Sequence, residues 1–111
     1  MSDRIEVAKI LLQNEEGKFL MLRKSGDYDD QYSGHWEQPG GKIEDSENRF
    51  EAVKREVKEE TGLEIDNSQD VVRLQIESDE LIDCYVLSTK DYSGSIELSE
   101  EHSEYRWFTE E

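Results

Sequence analysis

Residues 41–63 read GKIEDSENRFEAVKREVKEETGL, and they decide the fold prediction for this chain. Asp45 and Ser46 offer a helix N-cap, and glutamates follow in the first turn, where the helix dipole favours anions. Gly62 suits the left-handed position just past a helix end. We therefore predict a helix over about residues 46–61 that Gly62 terminates.

On a helical wheel, this segment separates an apolar stripe from a cluster of acids. Phe50, Val53 and Val57 fall within a narrow arc and are predicted to face the core. One flank carries three carboxylates at spacing i, i+3 and i+4, with Arg55 to one side and no lysine or arginine inside the arc. These carboxylates belong to Glu56, Glu59 and Glu60.

Such a cluster is unfavourable without a partner. Each like-charge pair costs about 0.2–0.5 kcal/mol in an isolated helix. Glu59 and Glu60 also lie in the last turn, where the helix dipole disfavours anions. Mg²⁺ prefers carboxylate oxygens and would relieve the repulsion. An E-x-x-E-E triplet alone is weak evidence, because acids also crowd the surface of any acidic protein.

The overall composition predicts one acidic domain over residues 1–111. The 29 Asp and Glu against 13 Lys and Arg give a net charge of −16, which repels nucleic-acid polymers and anionic membranes. Cys84 is the only cysteine, so no internal disulfide can form. The N-terminus lacks the apolar core of a signal peptide. These features favour a cytoplasmic protein.

Apolar runs predict strands on both sides of the helix. We expect a hairpin of residues 5–13 and 18–24 around the turn at 14–17, then a loop at 25–34. Later strands are joined by a tight turn at 78–80. The remaining strand candidates are 35–38, 71–77, 81–89, 95–98 and 105–108. Many strands around one helix indicate an α+β fold with a mixed or antiparallel sheet.

The spacing around the helix resembles a known family signature. Five residues separate Gly41 from Glu47, and seven more precede Arg55-Glu56-Val57, which Glu59-Glu60 and Gly62-Leu63 follow. This is G-x5-E-x7-R-E-U-x-E-E-x-G-U, with U aliphatic, the signature of the Nudix hydrolases. Every specified position is filled.

The flanking segments resemble the family as well. Residues 36–44, WEQPGGKIE, are similar to the segment that leads into the signature, and residues 100–107, EEHSEYRW, resemble a late acidic loop and tryptophan strand. The likeness therefore runs from about Ile5 to Phe108. Family members commonly end in a second helix on the sheet, which this sequence does not show. We expect either a minimal domain or a C-terminally truncated one.

The resemblance implies a site for Mg²⁺, with Mn²⁺ as an alternative. Its ligands would be the three helix glutamates and the carbonyl of Gly40 or Gly41, and one helix glutamate, Glu56 or Glu59, could instead be the base that activates water. Glu101, six residues before Trp107, matches a further ligand or base and could equally be one more surface acid. Glu47 and Arg55 would form an ion pair that orients the glutamates.

The reaction implied is hydrolysis of a pyrophosphate bond in a nucleoside-diphosphate-linked substrate. That substrate would be a nucleoside triphosphate or a nucleotide sugar such as ADP-ribose. Arg23 and Lys24 could contact phosphate or base, and Trp36 could stack on a base, although solvated and core roles are at least as common. Many relatives dimerise, so a homodimer is one expectation.

Two other functions stay open at this point. One is a nucleotide-binding module with this fold but no catalysis, which the intact set of acids disfavours. The other is an acidic domain without enzymatic function. It leaves unexplained why Gly41, Arg55, Gly62 and Leu63 fall in register.

Overall fold

The computed structural model describes residues 4–25, 34–77 and 80–109. Those ranges contain one helix and nine strands. In chain order they are β1 (Arg4–Leu12), β2 (Phe19–Lys24), β3 (Trp36–Glu37), β4 (Gly40–Lys42), α1 (Arg49–Thr61), β5 (Glu64–Ile65), β6 (Gln69–Glu77), β7 (Leu81–Thr89), β8 (Tyr92–Ser93) and β9 (His102–Phe108).

The strands form one mixed sheet and two antiparallel ones, which confirms the α+β prediction. The mixed sheet has the order β4-β1-β7-β6, in which β1 and β7 run parallel over nine residue pairs. The second sheet has the order β3-β2-β9, and β5 pairs with β8. Helix α1 packs on β1, β4 and β5.

The predicted hairpin of β1 and β2 is wrong. The turn itself is present, with the N–H of Gly17 donating to the carbonyl of Asn14 at 3.0 Å. Between β1 and β2, however, the described part of the chain shows only the isolated bridge Gln13↔Phe19. Strand β7 takes the place beside β1, and β2 pairs with β3 and β9 instead. The two strands therefore diverge into different sheets.

The other strand predictions vary in accuracy. Strand β7 has the predicted bounds, and β6 and β9 begin two or three residues earlier than expected. Residues 95–98 form no strand, because this segment bonds to the end of α1: the N–H of Glu97 donates to the carbonyl of Thr61 at 2.7 Å. The predicted loop at 25–34 and turn at 78–80 lie mostly outside the described residues.

The helix begins later than predicted. Its N-cap is Asn48, not Asp45 or Ser46, and the Asn48 side chain accepts a hydrogen bond from the N–H of Glu51. The Glu51 carboxylate in turn accepts from the N–H of Asn48, which completes a capping box. Gly62 ends the helix with φ 80°, as predicted.

The core lies where α1 covers the sheets. It consists of Ala8, Ile10, Leu12, Leu20, Leu22, Ala52, Val53, Val57, Leu63, Ile65 and Leu87. Phe50, predicted to belong to it, is 37% exposed, and the Arg49 guanidinium lies over its ring at 4.5 Å. Phe50 occupies the first turn of α1, and Ala52 and Thr61 are buried instead.

Strand β6 forms an exposed edge of the mixed sheet. Its apolar residues are 46–53% exposed, namely Val71, Val72, Leu74 and Ile76. Cys84, on the neighbouring β7, is partly buried, and burial raises the pKa of its thiol. The last described element is β9. No helix in the described residues is long and apolar enough to cross a membrane.

Candidate active site

The helix carboxylates do not form a separate flank. Glu60 lies on the buried face of α1, between Ala52 and Val53 on the wheel, and it is only 4% exposed. Glu56 is largely buried, whereas Glu59 is exposed. The buried arc of α1 is centred further from Phe50 than the helical wheel predicted, and it therefore includes Glu60.

Burial has a strong electrostatic consequence for two of these acids. It raises the pKa of Glu60 to about 8; the N–H of Gly40 opposes the rise, and the charges of Glu56 and Glu101 add to it. Burial also raises the pKa of Glu56, against the opposing charge of Arg55 and with help from Glu59 and Glu101. The four carboxylates therefore repel one another across one site.

Glu101 reaches this site from the segment before β9. Its charge raises the pKa of both Glu56 and Glu60, so Glu101 lies near the helix acids. The carbonyl of Glu101 accepts a hydrogen bond from the N–H of Ser25 at 2.8 Å. Glu104, in β9 itself, pairs instead with Arg23 at 2.8 Å.

Arg55 contacts several carboxylates on the helix side of the site. It makes two hydrogen bonds to Glu47, of 2.7 and 3.1 Å, so the expected ion pair is present. The same guanidinium donates to Glu56 at 3.2 Å and to Glu59 at 3.3 Å. Arg55 therefore neutralises part of the carboxylate cluster, although it lies to one side of the three glutamates on the helical wheel.

Strand β4 supplies the opposite wall. The N–H of Gly40 donates to a carboxylate oxygen of Glu60 at 3.1 Å. At Gly41, an added Cβ would lie 2.5 Å from a carboxylate oxygen of Glu56. The sequence predicted a strand over residues 35–38 and none after it, whereas Gly40 and Gly41 belong to β4, against which the helix acids pack.

Lys9 is a site residue that the sequence analysis missed. Its Nζ donates to the carbonyl of Gln38 at 3.3 Å, and its charge lowers the pKa of both Glu37 and Glu60. A lysine inside the apolar run of β1 was the available signal, since strand interiors seldom carry one without a partner.

The donor set fits a hard divalent cation. The pKa values of Glu56 and Glu60 are raised. A bound Mg²⁺ or Mn²⁺ would stabilise the ionised form of these carboxylates. Within the described ranges, no three acidic, histidine or cysteine side chains already stand at metal-ligand spacing. Ligation would therefore require the exposed side chains of Glu59 and Glu101 to rotate, and Glu59 would then adjust its contact with Arg55.

The predicted substrate contacts are divided between two faces. Lys24 lies opposite His102 in the pairing of β2 with β9, and its charge lowers the pKa of Glu37. Arg23 instead bonds to Glu104, and Trp36 packs edge-on against Phe108. Trp36 lines an open apolar cleft of about 540 Å³ whose other walls are Leu11, Phe19, Met21, Phe108 and Thr109.

Known proteins are similar to this chain in sequence and in fold. The MutT protein of Methanosarcina mazei has 33% identity and a TM-score of 0.84, over 97% of this chain and 78% of its own. The CTP pyrophosphohydrolase of Escherichia coli is 31% identical over 108 residues, which are 96% of this chain and 77% of the relative.

A mouse enzyme is similar at lower identity. The bis(5′-nucleosyl)-tetraphosphatase (asymmetrical) of Mus musculus is 29% identical over 103 residues, which are 86% of this chain and 67% of the relative. The model of the NUDIX domain matches residues 3–111. This chain therefore belongs to the NUDIX domain family, and it is a pyrophosphohydrolase.

Proposed function

We propose that this chain hydrolyses the polyphosphate chain of a nucleotide and depends on Mg²⁺, with Mn²⁺ as a substitute. The observation that carries the proposal is Glu60. Its carboxylate is buried, its pKa is raised to about 8, and the acids Glu56 and Glu101 face it. A bound cation would make this arrangement favourable.

The helix acids Glu56, Glu59 and Glu60 would hold the cation, with the carbonyl of Gly40 or Gly41 as a further oxygen. When bound, the cation would neutralise phosphate charge and lower the pKa of the attacking water. An acidic site could then accept an anionic substrate, because the cation reverses its charge.

Glu101 is our candidate for the general base. It faces the helix acids from a separate segment and is exposed, so it could approach a water on the substrate side. A bond forms between the water oxygen and phosphorus as the bridging P–O bond breaks. The water proton passes to the Glu101 carboxylate, and the leaving phosphate keeps the electron pair.

Arg55 and Glu47 would orient the ligands without touching substrate. The guanidinium is fixed by Glu47 and by the carbonyl of Lys42 at 3.0 Å, and it then contacts Glu56 and Glu59. Such supporting bonds restrict the positions of metal-ligating carboxylates.

A nucleoside polyphosphate is the substrate class that we favour over a nucleotide sugar. The names of the Escherichia coli and mouse relatives describe a CTP pyrophosphohydrolase and a bis(5′-nucleosyl)-tetraphosphatase. The charge of Lys9 lowers the pKa of Glu37 and Glu60, and this lysine would contact an extended phosphate chain bound beside them. We also place the protein in the cytoplasm, where the free thiol of Cys84 suits a reducing medium.

The deciding experiment incubates the protein with CTP, a diadenosine tetraphosphate and ADP-ribose, with and without Mg²⁺, and identifies the products. We expect pyrophosphate from CTP, or a nucleoside mono- and triphosphate from the dinucleotide. AMP and ribose 5-phosphate as the main products would contradict the substrate class. Tight binding without turnover would favour the non-catalytic nucleotide-binding module.

Three matched variants test the site. Glu59→Gln and Glu60→Gln should each abolish Mg²⁺-dependent turnover and leave the fold nearly intact. Glu64→Gln removes the same charge from an exposed acid that pairs with Lys58 at 2.7 Å, and it should be fully active. Unchanged turnover in both site variants would contradict the assignment of the ligands.

A further inference from the structure

A partly buried hydrogen bond joins β3 to β9 beside the site. The imidazole Nε2 of His102 lies 2.7 Å from a carboxylate oxygen of Glu37, and the His102 side chain is only 1% exposed. The bond to His102 is the largest cause of the lowered pKa of Glu37. A carboxylate ionised at neutral pH can only accept hydrogen bonds, so in this pair the Nε2–H of His102 donates to Glu37.

A β-bulge turns His102 inward. In the pairing of β2 with β9, Arg23 lies opposite Glu104, but the next residue, Lys24, lies opposite His102. Ser103 is the extra residue of the bulge. Without it, side-chain alternation would place His102 on the outer face with Glu104. With the bulge, His102 faces the same side as Glu37, where it is buried.

The bond connects the two backbone segments that enclose the carboxylates. Glu37 precedes Gly40, whose N–H binds Glu60. His102 directly follows Glu101, whose charge acts on Glu56 and Glu60. The pair therefore fixes the end of the segment that carries Glu101 relative to the strand that contacts the helix acids.

Stability alone does not account for this pair. The buried Nδ1 of His102 has no hydrogen-bond partner among the described residues, and neither has the hydroxyl of Ser99 three residues earlier. A buried polar atom without a partner costs about 1–3 kcal/mol. A pair of apolar side chains would avoid that cost, which points to a function for the polar pair.

We propose that the Glu37–His102 hydrogen bond positions Glu101 against the helix carboxylates, so that His102 is a positioning residue for hydrolysis. The inference rests on the proposed function of Glu101 in the site. His102 does not touch the substrate; it acts by holding the segment from which Glu101 reaches the helix acids.

The first test measures backbone exchange and needs no substrate. The N–H of Ser25 donates to the carbonyl of Glu101, so its hydrogen exchange reports whether this segment is held. We expect faster exchange at Ser25 in His102→Leu than in the wild type. His102→Gln should stay close to the wild type, because its amide can still donate to Glu37. Equal exchange in all three proteins would overturn the proposal.

The second test is a double-mutant cycle on kcat. His102→Leu should lower kcat by roughly 10–100-fold, with little change in KM, and His102→Gln should restore most of the loss. The variant with both His102→Leu and Glu101→Gln should be no slower than Glu101→Gln alone. Losses that multiply, or a Glu101→Gln variant with full activity, would overturn the proposal.

Asp83→Asn is the control for a loss of stability. Asp83, on β7, is buried and bound by Arg4 and Arg73, and among the described residues it contacts none of those in the site, so the change should lower Tm without affecting kcat below Tm. Its effect should combine with Glu101→Gln by simple multiplication. A wild-type protein without turnover would contradict the proposed function, and the exchange at Ser25 would still decide whether His102 holds the Glu101 segment.

Discussion

At the scale of single residues, Gly40 and Gly41 lack a side chain for different reasons. Gly40 has φ 136°, and a Cβ there would collide with the backbone of Ala8 and Lys9 in β1. Gly41 has no positive φ, and the atoms nearest to its added Cβ belong to the carboxylate of Glu56. The first glycine serves strand packing, and the second makes room for a site residue.

This difference predicts opposite results for two alanine variants. Gly40→Ala should lower the free energy of unfolding by about 1–3 kcal/mol from backbone strain alone. Gly41→Ala should leave it almost unchanged, because the flexible Glu56 side chain can move away, but the displaced carboxylate should reduce turnover. Urea unfolding and kcat measured on both variants check the prediction. A stable, fully active Gly41→Ala protein would show that the position of Glu56 is unimportant.

From the raised pKa of Glu60 we predict how the stability of the protein depends on pH when no divalent cation is present. Its pKa is about 8 in the folded state and 4.5 in the reference state. Between these two pH values, the folded protein keeps a proton on Glu60 that the unfolded chain has released. The stabilisation that Glu60 contributes is therefore complete below pH 4.5 and is lost as the pH rises through about 8.

Glu60→Gln removes this titration. Relative to the wild type, the variant should gain about 3–5 kcal/mol of stability between pH 4.5 and pH 9 in EDTA. The other carboxylates are common to both proteins and largely cancel in the comparison. Denaturant unfolding at both pH values gives the result. A difference between the two proteins that does not change with pH would mean that Glu60 is not protonated in the folded state.

At the scale of secondary-structure elements, the start of α1 is held by side chains rather than by burial. Asn48 and Glu51 exchange hydrogen bonds of 2.9 Å with each other's backbone N–H, while Ser46 lies in the preceding turn. Asn48→Ala should destabilise the protein by about 0.5–2 kcal/mol, and Ser46→Ala should have almost no effect. Thermal unfolding of both variants compares them directly. A larger effect at Ser46 would restore the N-cap predicted from the sequence.

Elements with strong local signals could be predicted from the sequence. Strand β7 and the end of α1 at Gly62 agree with their predictions, because an apolar run and a glycine in the left-handed region are local properties. Strand β4 could not be found in this way. Gly40 and Gly41 have no side-chain pattern, and their pairing with β1 depends on a partner more than 30 residues away.

The sequence predicted which glutamates belong to the site but not how deeply each one is buried. The signature named the helix glutamates, and the structure brings Glu101 to them. The burial of Glu60 depends on how α1 is rotated about its own axis against the sheet, and the residue pattern of the helix does not predict that rotation. Glu37 and His102 were missed as a pair because a bulge in β9 changes the side-chain alternation that a sequence pattern assumes.

At the scale of the whole molecule, negative charge opposes folding. The net charge of −16 makes the compact state repel itself, and added salt screens that repulsion. Any salt should therefore raise Tm to some degree. A cation bound at the carboxylate site adds a second stabilisation, which depends on its Kd rather than on ionic strength.

Comparing MgCl₂ with NaCl at equal ionic strength separates these two effects. At a Mg²⁺ concentration 100 times the Kd, binding contributes about 2.7 kcal/mol. For a domain of this size, that should raise Tm by roughly 10 °C beyond the NaCl value. The variant carrying both Glu59→Gln and Glu60→Gln should respond equally to the two salts, because it keeps the general acidity but loses the site. If the wild type also responds equally, Mg²⁺ acts on this protein only by screening, and the helix carboxylates do not form a metal site.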